Sequence, residues 1–406
     1  MNILFLQKRV LFPVNSGWRI RTLNVVRYLA RWHRLTYVCN VDDGDRDALA
    51  QMRELGLELV TVPWTEAPRR SAAFYRDLAR NLASPYPFTV DKDFQPELRG
   101  AAAHLLASRP FDLLICDFVQ MARNAIGLEA RATLLFQHNV EGQLAERHAR
   151  EDPSWLRRRY MSLQASKMKA FEGRAGREFD SVVAVSEQDR RIFEREYGWT
   201  NVHTIDTSVD VDYFQPGQEP RDPATLVFVG SLDWLPNEDG VVDFVSHVWP
   251  SIRRQVPDAK FHAVGRNPSP AVRRLDGRDG VEIFGSVPDV RPFLHRATMA
   301  VVPLLVGGGT RLKVFEAMAT ATPVVSTTLG AEGLPVASGE HLSIADGHDA
   351  FAAAVVDLVR DRGRRETMAA RARQLVLERF SAETIARQFE AICLQTVERA
   401  SARRTT

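Results

Sequence analysis

Between Val301 and Thr327 the chain reads VVPLLVGGGTRLKVFEAMATATPVVST, and the residues at its centre suit anion binding. Gly307, Gly308 and Gly309 permit positive φ and close backbone approach, and Thr310 can cap the helix that follows. The first N–H groups of such a helix have no partner within it and favour a phosphate. Arg311 and Lys313 add cationic donors at the same point. Lys313 and Glu316 are three apart and share a helix face, which sets a carboxylate one turn deeper, where it suits a ribose diol. The same residues also fit a plain turn followed by a solvated charged face.

A second set of candidates lies in the first half. His138, with Asn139 and Glu141 beside it in HNVE, follows the apolar run TLLFQ from Thr133. That is the carboxyl end of a strand, where functional side chains of parallel sheets concentrate. In FPVNSGWRIRTLNVVRYLA, Ser16 and Gly17 precede an amphipathic helix carrying Val25, Val26 and Leu29, and the glycine lets a loop come close to a ligand. No G-x-G-x-x-G follows the first apolar run, so hydride chemistry is not expected. Asp210, Val211 and Asp212 form a D-x-D string, but its Asp-, Pro- and Gly-rich surroundings read as a turn, and no metal site is expected.

These residues need elements to hold them. The first half carries NILFL from Asn2, LTYVCN from Leu35, LLIC from Leu113, TLLFQ from Thr133 and VVAV from Val182. The second carries LVFVG from Leu226, KFHAVG from Lys260, VEIFG from Val281, MAVVPL from Met299, PVVST from Pro323 and LSIA from Leu342. Continuous apolar runs separated by helix-period segments are the mark of strands buried on both faces of a parallel sheet. The expectation is an α/β chain with two Rossmann-like, doubly wound domains facing a central cleft. Residues 1–215 would form the first domain and 216–380 the second, with the break near Pro216 in DTSVDVDYFQPGQEPRDPA. Residues 381–406 read as a C-terminal helix and tail, with Ile385, Phe389, Ile392 and Val397 on one face, crossing back to the first domain.

Composition bounds the partners. A chain of 406 residues, 45% hydrophobic and 26% charged with net charge +2, is an ordinary globular protein with no global electrostatic case for nucleic acid. Cys39, Cys116 and Cys393 stand far apart with no C-x-x-C, which fits a reducing cytoplasm and argues against disulfides and thiolate metal sites. The apolar N-terminal run is broken by Gln7, Lys8 and Arg9, so neither a signal peptide nor a membrane span is expected there. From Pro153 to Arg177, basic residues interleave with Trp155, Leu156, Tyr160, Met161 and Phe171. Such a helix suits an anionic membrane surface, and it equally suits packing on its own domain.

GGGTRLKVFEAMATATPVVST, followed by GAEGL at Gly330 to Leu334, resembles the donor-binding signature of the retaining GT-B glycosyltransferases called family four. The resemblance extends, more weakly toward the N-terminus, through VFVGSLDWLPNEDGV, FGSVPDVRPFL, HNVE and VSEQDRR. It implies transfer of a sugar from a nucleotide-diphosphate donor, as co-substrate and with no metal or other cofactor, to a glycan, lipid-linked or small-molecule acceptor. The setting it implies is cytoplasmic glycan or exopolysaccharide assembly, with peripheral contact to the inner face of the membrane. Glu316 matches the second carboxylate of the family's Glu-x7-Glu motif, and Gly308 stands where the first would be. After Gly230, relatives have an Arg and, five residues on, a Lys; Ser231 and Asn237 stand nearby here, so Arg311 and Lys313 are expected to supply the charge. Gly308, Gly309, Thr310, Gly230 and Ser231 complete the implied donor site, and Gly17, with Arg19 or Arg21 behind it, would close it from the first domain. FGSVPDV would line the nucleobase pocket. His138 would orient the donor sugar or the acceptor hydroxyl. An epimerase or phosphorylase on the same scaffold, or a non-catalytic nucleotide-sugar-binding subunit, are the alternative readings.

Overall fold

The computed structural model describes residues 1–14, 16–68, 71–151, 154–306 and 311–405. The chain divides into two compact units, Met1–Asp206 with Ile385–Thr406, and Thr207–Thr384.

The first unit is built on a seven-stranded sheet: β1 (Asn2–Arg9), β2 (Arg34–Val41), β3 (Glu58–Pro63), β4 (Leu113–Asp117), β5 (Thr133–Phe136), β6 (Ser181–Ala184) and β7 (Val202–Thr204). Its order is β3-β2-β1-β4-β5-β6-β7, and every pairing is parallel. Central strands are buried on both faces, as all five residues of β4 are, whereas the edge strand β3 keeps exposed positions and β7 is only partly buried. Apolar side chains on the two faces enter two separate cores, Ile3 and Phe5 one and Leu4 and Leu6 the other. That is the alternation a pleated strand imposes.

The second unit holds β8 (Thr225–Val229), β9 (Lys260–Val264), β10 (Val281–Phe284), β11 (Met299–Val302), β12 (Val324–Ser326) and β13 (Ser343–Ile344). The order β10-β9-β8-β11-β12-β13, again all parallel, reverses direction beside β8. Open α/β sheets bind ligands where such a reversal occurs, outside the strand carboxyl ends. Each sheet is Rossmann-like and doubly wound.

Five helices position the candidate residues: α1 (Gly17–Trp32), α2 (Glu141–Glu151), α3 (Trp155–Ala175), α4 (Leu312–Ala319) and α5 (Ala382–Thr405). Ser381 accepts a hydrogen bond from the Thr384 amide at the start of α5, which satisfies one N–H the helix leaves open. Ile385, Phe389, Cys393 and Ala400 of α5 join the core containing Ile3 and Phe5. The Phe389 ring meets Phe136 at 5.0 Å. Fully burying one such ring is worth about 1.5–3 kcal/mol.

The unit boundaries differ from the expected break near Pro216. The Val209 amide donates to the Phe380 carbonyl, and the Ala382 amide donates back to Val209. Residues from Thr207 onward therefore belong to the second unit, and α5 passes to the first at Ile385. No helix among the described residues is long and apolar enough to cross a membrane.

Candidate functional site

In the second unit, the ends of β8 and β9 meet two helices, α4 and Leu235–Asp243. Lys313, on the first turn of α4, donates to Asn237 Oδ1 at 2.6 Å, and Asn237 Nδ2 in turn donates to the Ser231 carbonyl at 2.8 Å. The Lys313 ammonium also lies 4.3 Å from the centre of the Phe228 ring on β8. Gly230 makes the room: a Cβ there would stand 2.9 Å from both Lys313 Nζ and Asn237 Nδ2. Gly265, at the end of β9, is pressed against the Gly230 carbonyl and has no space for a side chain.

Lys313 and Glu316 share the face of α4 as their spacing requires, and both keep part of their surface open. Removal from water dominates their chemistry. Burial lowers Lys313 to about 7, with Glu316 opposing the shift, and raises Glu316 to about 7, with Lys313 opposing it. A half-charged lysine beside a half-charged carboxylate is an unfinished ion site. An arriving diphosphate would hold Lys313 protonated, and a diol would give Glu316 two donors.

Arg311 is held by the loop after β12. It is buried, and its Nε and Nη2 both donate to the Leu329 carbonyl at 3.1 and 2.8 Å, with Glu332 at 3.6 Å. The guanidinium thus ties the start of α4 to the loop after β12. Ser231 accepts from Arg266 Nε at 2.7 Å and donates to Asp233. Arg266 was missed, although its place directly after Gly265, at a strand carboxyl end, is a readable signal. Gly308, Gly309 and Thr310 lie outside the described residues. Gly285 and Ser286 of FGSVPDV, with Asn267 and Asp276, line a cavity of about 450 Å³ at the ends of β9 and β10. Asp210 caps its own turn, accepting from the Asp212 and Tyr213 amides.

In the first unit His138 is buried beyond the end of β5. Arg21 Nη1, which can only donate, lies 3.0 Å from His138 Nδ1, so Nδ1 is the acceptor and the ring proton sits on Nε2. Nε2 faces Asp117 Oδ1 at 2.6 Å. Asp117 Oδ2 accepts from Gln7 Nε2 at 2.7 Å and from Thr22 Oγ1 at 2.9 Å. Phe118 stacks on the imidazole at 4.2 Å and Phe136 lies at 4.3 Å on a tilt. Phe118 adopts φ 73°, a strained conformation for a bulky residue, and holds its ring over His138. Burial, reinforced by Arg21 and opposed by Asp117, keeps the histidine below its ordinary range and neutral.

Both imidazole nitrogens are therefore engaged by protein. His138 joins Asp117 at the end of β4 to Arg21 on α1. Arg21, expected near a ligand phosphate, is buried, and desolvation lowers it to about 10. Gly17 is exposed at the first position of α1. Glu141 is half-buried and raised by burial, with Asn139 donating to it at 3.1 Å.

The HNVE turn has its own anchor. Glu172 of α3, fully buried, accepts from Gln137 Nε2, Tyr197 Oη and the amides of Glu141 and Gly142 at the start of α2. Burial nonetheless raises it to about 7. Phe118, which stacks on His138, also lines a cavity of about 450 Å³ with Lys8, Trp18, Glu66, Asp93 and Gln120 among others. Lys8 bridges Asp93 at 2.7 Å and Glu66 at 3.3 Å, so charged and aromatic surfaces alternate around that space.

Residues 223–361 match the family model of glycosyl transferases group 1. A 44.6 kDa protein from the cps region of Klebsiella pneumoniae is 22% identical over 303 residues, which is 72% of this chain and 76% of that one. D-inositol 3-phosphate glycosyltransferase 2 of Catenulispora acidiphila is 28% identical over 205 residues, 44% of this chain and 48% of its own length. In fold, the chain is similar to Anabaena Alr3699/HepE, solved in complex with UDP, with a TM-score of 0.65 at 14% identity over 96% of this chain and 99% of that one.

Proposed function

We propose, on a GT-B fold whose residues 223–361 match the family model of glycosyl transferases group 1, that the second unit binds a nucleotide-diphosphate sugar through Lys313 and Glu316. The observation that carries this reading is the contact of Lys313 with Asn237 in the space left by Gly230. Lys313 meets the diphosphate and Glu316 accepts from the ribose hydroxyls. The cavity at Gly285 and Ser286 takes the base. A UDP-sugar is the first donor to try, since a protein of similar fold was solved with UDP.

Sugar departure leaves growing charge on the nucleoside diphosphate. Lys313, held in a desolvated site, and the N-terminus of α4 meet that charge, and preorganised donors of this kind lower a barrier without a metal ion. Attack then comes from the face the leaving group vacates, so the anomeric configuration is retained, and the departing phosphate takes the acceptor's proton. No carboxylate nucleophile takes part.

The acceptor hydroxyl is bound in the first unit, in the cavity between Trp18, Phe118 and the Lys8, Glu66 and Asp93 cluster. Aromatic faces and paired charges suit a polyol such as a glycan, a lipid-linked sugar or a small molecule. His138 keeps Phe118 and Arg21 in register beside it. The enzyme works in the cytoplasm in glycan or exopolysaccharide assembly, a setting supported by its similarity to a protein of a cps region. Trp155 and Leu156, 68% and 64% exposed at the start of basic helix α3, support peripheral contact with an anionic membrane.

The test is release of nucleoside diphosphate from a panel of sugar nucleotides, with pooled acceptors and EDTA present. Release that needs an acceptor, survives EDTA and yields a product of unchanged anomeric configuration by NMR is expected. Failure of every donor to react, in folded protein, would overturn the reading.

A further inference from the structure

At the other end of the helix that carries Asn237, three side chains converge on the surface of the second unit. Asp243 ends the helix Leu235–Asp243, His247 lies in the wider turn Phe244–Val248, and His348 opens the helix His348–Arg360. His247 Nδ1 is 2.8 Å from Asp243 Oδ1, and His348 Nε2 is 3.0 Å from Asp243 Oδ2. The imidazoles face each other at 4.9 Å with planes 13° apart. One ligand atom from each residue falls within 4.8 Å of the others, the one group of this kind among the described residues.

We propose that Asp243, His247 and His348 bind a divalent transition-metal ion, of which zinc is the representative, and that the ion clasps two helices of the donor unit. Two imidazole nitrogens with one carboxylate oxygen suit zinc, nickel, cobalt or copper, whereas magnesium and calcium require oxygen ligands. A tetrahedral zinc with bonds near 2.0–2.1 Å needs its ligand atoms about 3.4 Å apart. The ligand atoms, within 4.8 Å of one another, must close by about 1.4 Å at most to reach that spacing, and both imidazoles are exposed. Phe244, next to Asp243, and Phe351, in the first turn after His348, are buried with their rings 5.8 Å apart. The ligands are thus carried on a packed scaffold, with a fourth position left for water.

A wider helical turn at the ligand-bearing stretch is a feature often found at functional sites. The sequence reading could not see it, because Asp243 and His348 are 105 residues apart with no metal-binding spacing between them. The helix that ends at Asp243 carries Asn237, the partner of Lys313, near its start. An ion at Asp243 therefore holds the far end of the element that positions the proposed donor lysine. Its role is structural and separate from the transfer step, so it stands whether or not the donor assignment does.

Tag-free protein stripped with EDTA and dialysed is titrated with zinc chloride by calorimetry, and its thermal midpoint is read with and without the ion. A single saturable zinc per chain, with a higher midpoint, is expected. His348→Gln and His247→Gln, both at exposed positions, should each weaken binding about tenfold or more and remove the rise in midpoint. Cobalt should give a visible absorption band in the wild type that both variants lose. No saturable binding, or binding that neither variant weakens, would overturn the proposal and leave Asp243 an ion-pair acceptor for two imidazoles.

Discussion

Lys313 donates to Asn237 at 2.6 Å, and Gly230 is the residue that leaves space for the pair. Gly230→Ala would set a methyl group 2.9 Å from the ammonium and force it away. Nucleoside diphosphate affinity should fall about tenfold or more, equivalent to ~1.4 kcal/mol. Calorimetric titration checks this, and an unchanged affinity would remove Lys313 from the site.

Proton linkage offers a second check. Lys313 sits lowered to about 7 and Glu316 raised to about 7. At pH 8 most Lys313 is neutral, and a bound diphosphate would recharge it. Binding should therefore take up protons, approaching about one per nucleotide, measured as a dependence of binding heat on buffer ionisation enthalpy. For folding the signs are opposite. Raised Glu316 contributes stability below about 4.5 that is lost as pH rises through 7, while lowered Lys313 destabilises below 7 and is relieved as pH rises toward 10.5.

Arg311 and Lys313 should part company under substitution. Arg311 is buried on the Leu329 carbonyl, so Arg311→Ala should cost about 1.5–3 kcal/mol of stability, the range for a charged hydrogen bond. Lys313→Ala removes a desolvated charge and should hold or raise stability while binding is lost. Urea unfolding of the two variants decides between this division and a shared phosphate role.

In the first unit, Asp117 carries His138, Gln7 and Thr22 at once. Asp117→Asn replaces one acceptor by a donor facing other donors, and a loss of about 3 kcal/mol is expected. A change below about 0.5 kcal/mol, the level of ordinary surface substitutions, would show that the network does not hold the strand ends.

The sheets were largely legible because their central strands are continuous apolar runs. What escaped were β3 and β7, edge strands whose partly exposed residues lack that signal. The Lys313 and Glu316 face was legible from helical spacing alone. Arg311 was not, since spacing does not say which way a side chain turns from the first residue before a helix. His138 was found by its place after a strand. Its partner Asp117 comes from another element and carries no local signature, and Arg21, singled out behind Gly17, gives no sign in the sequence of pairing with it. The boundary near Pro216 was misjudged because composition marks a linker but not the Val209 backbone contacts that assign it to one unit.

The most direct test of the central claim is calorimetric binding of UDP and other nucleoside diphosphates, without added metal, to wild type, Lys313→Ala and Glu316→Ala. The expected result is binding of one nucleotide that both substitutions weaken about tenfold or more, each ~1.4 kcal/mol. Binding that both variants retain unchanged, or no binding by folded wild-type protein, would contradict the assignment of the donor site to α4.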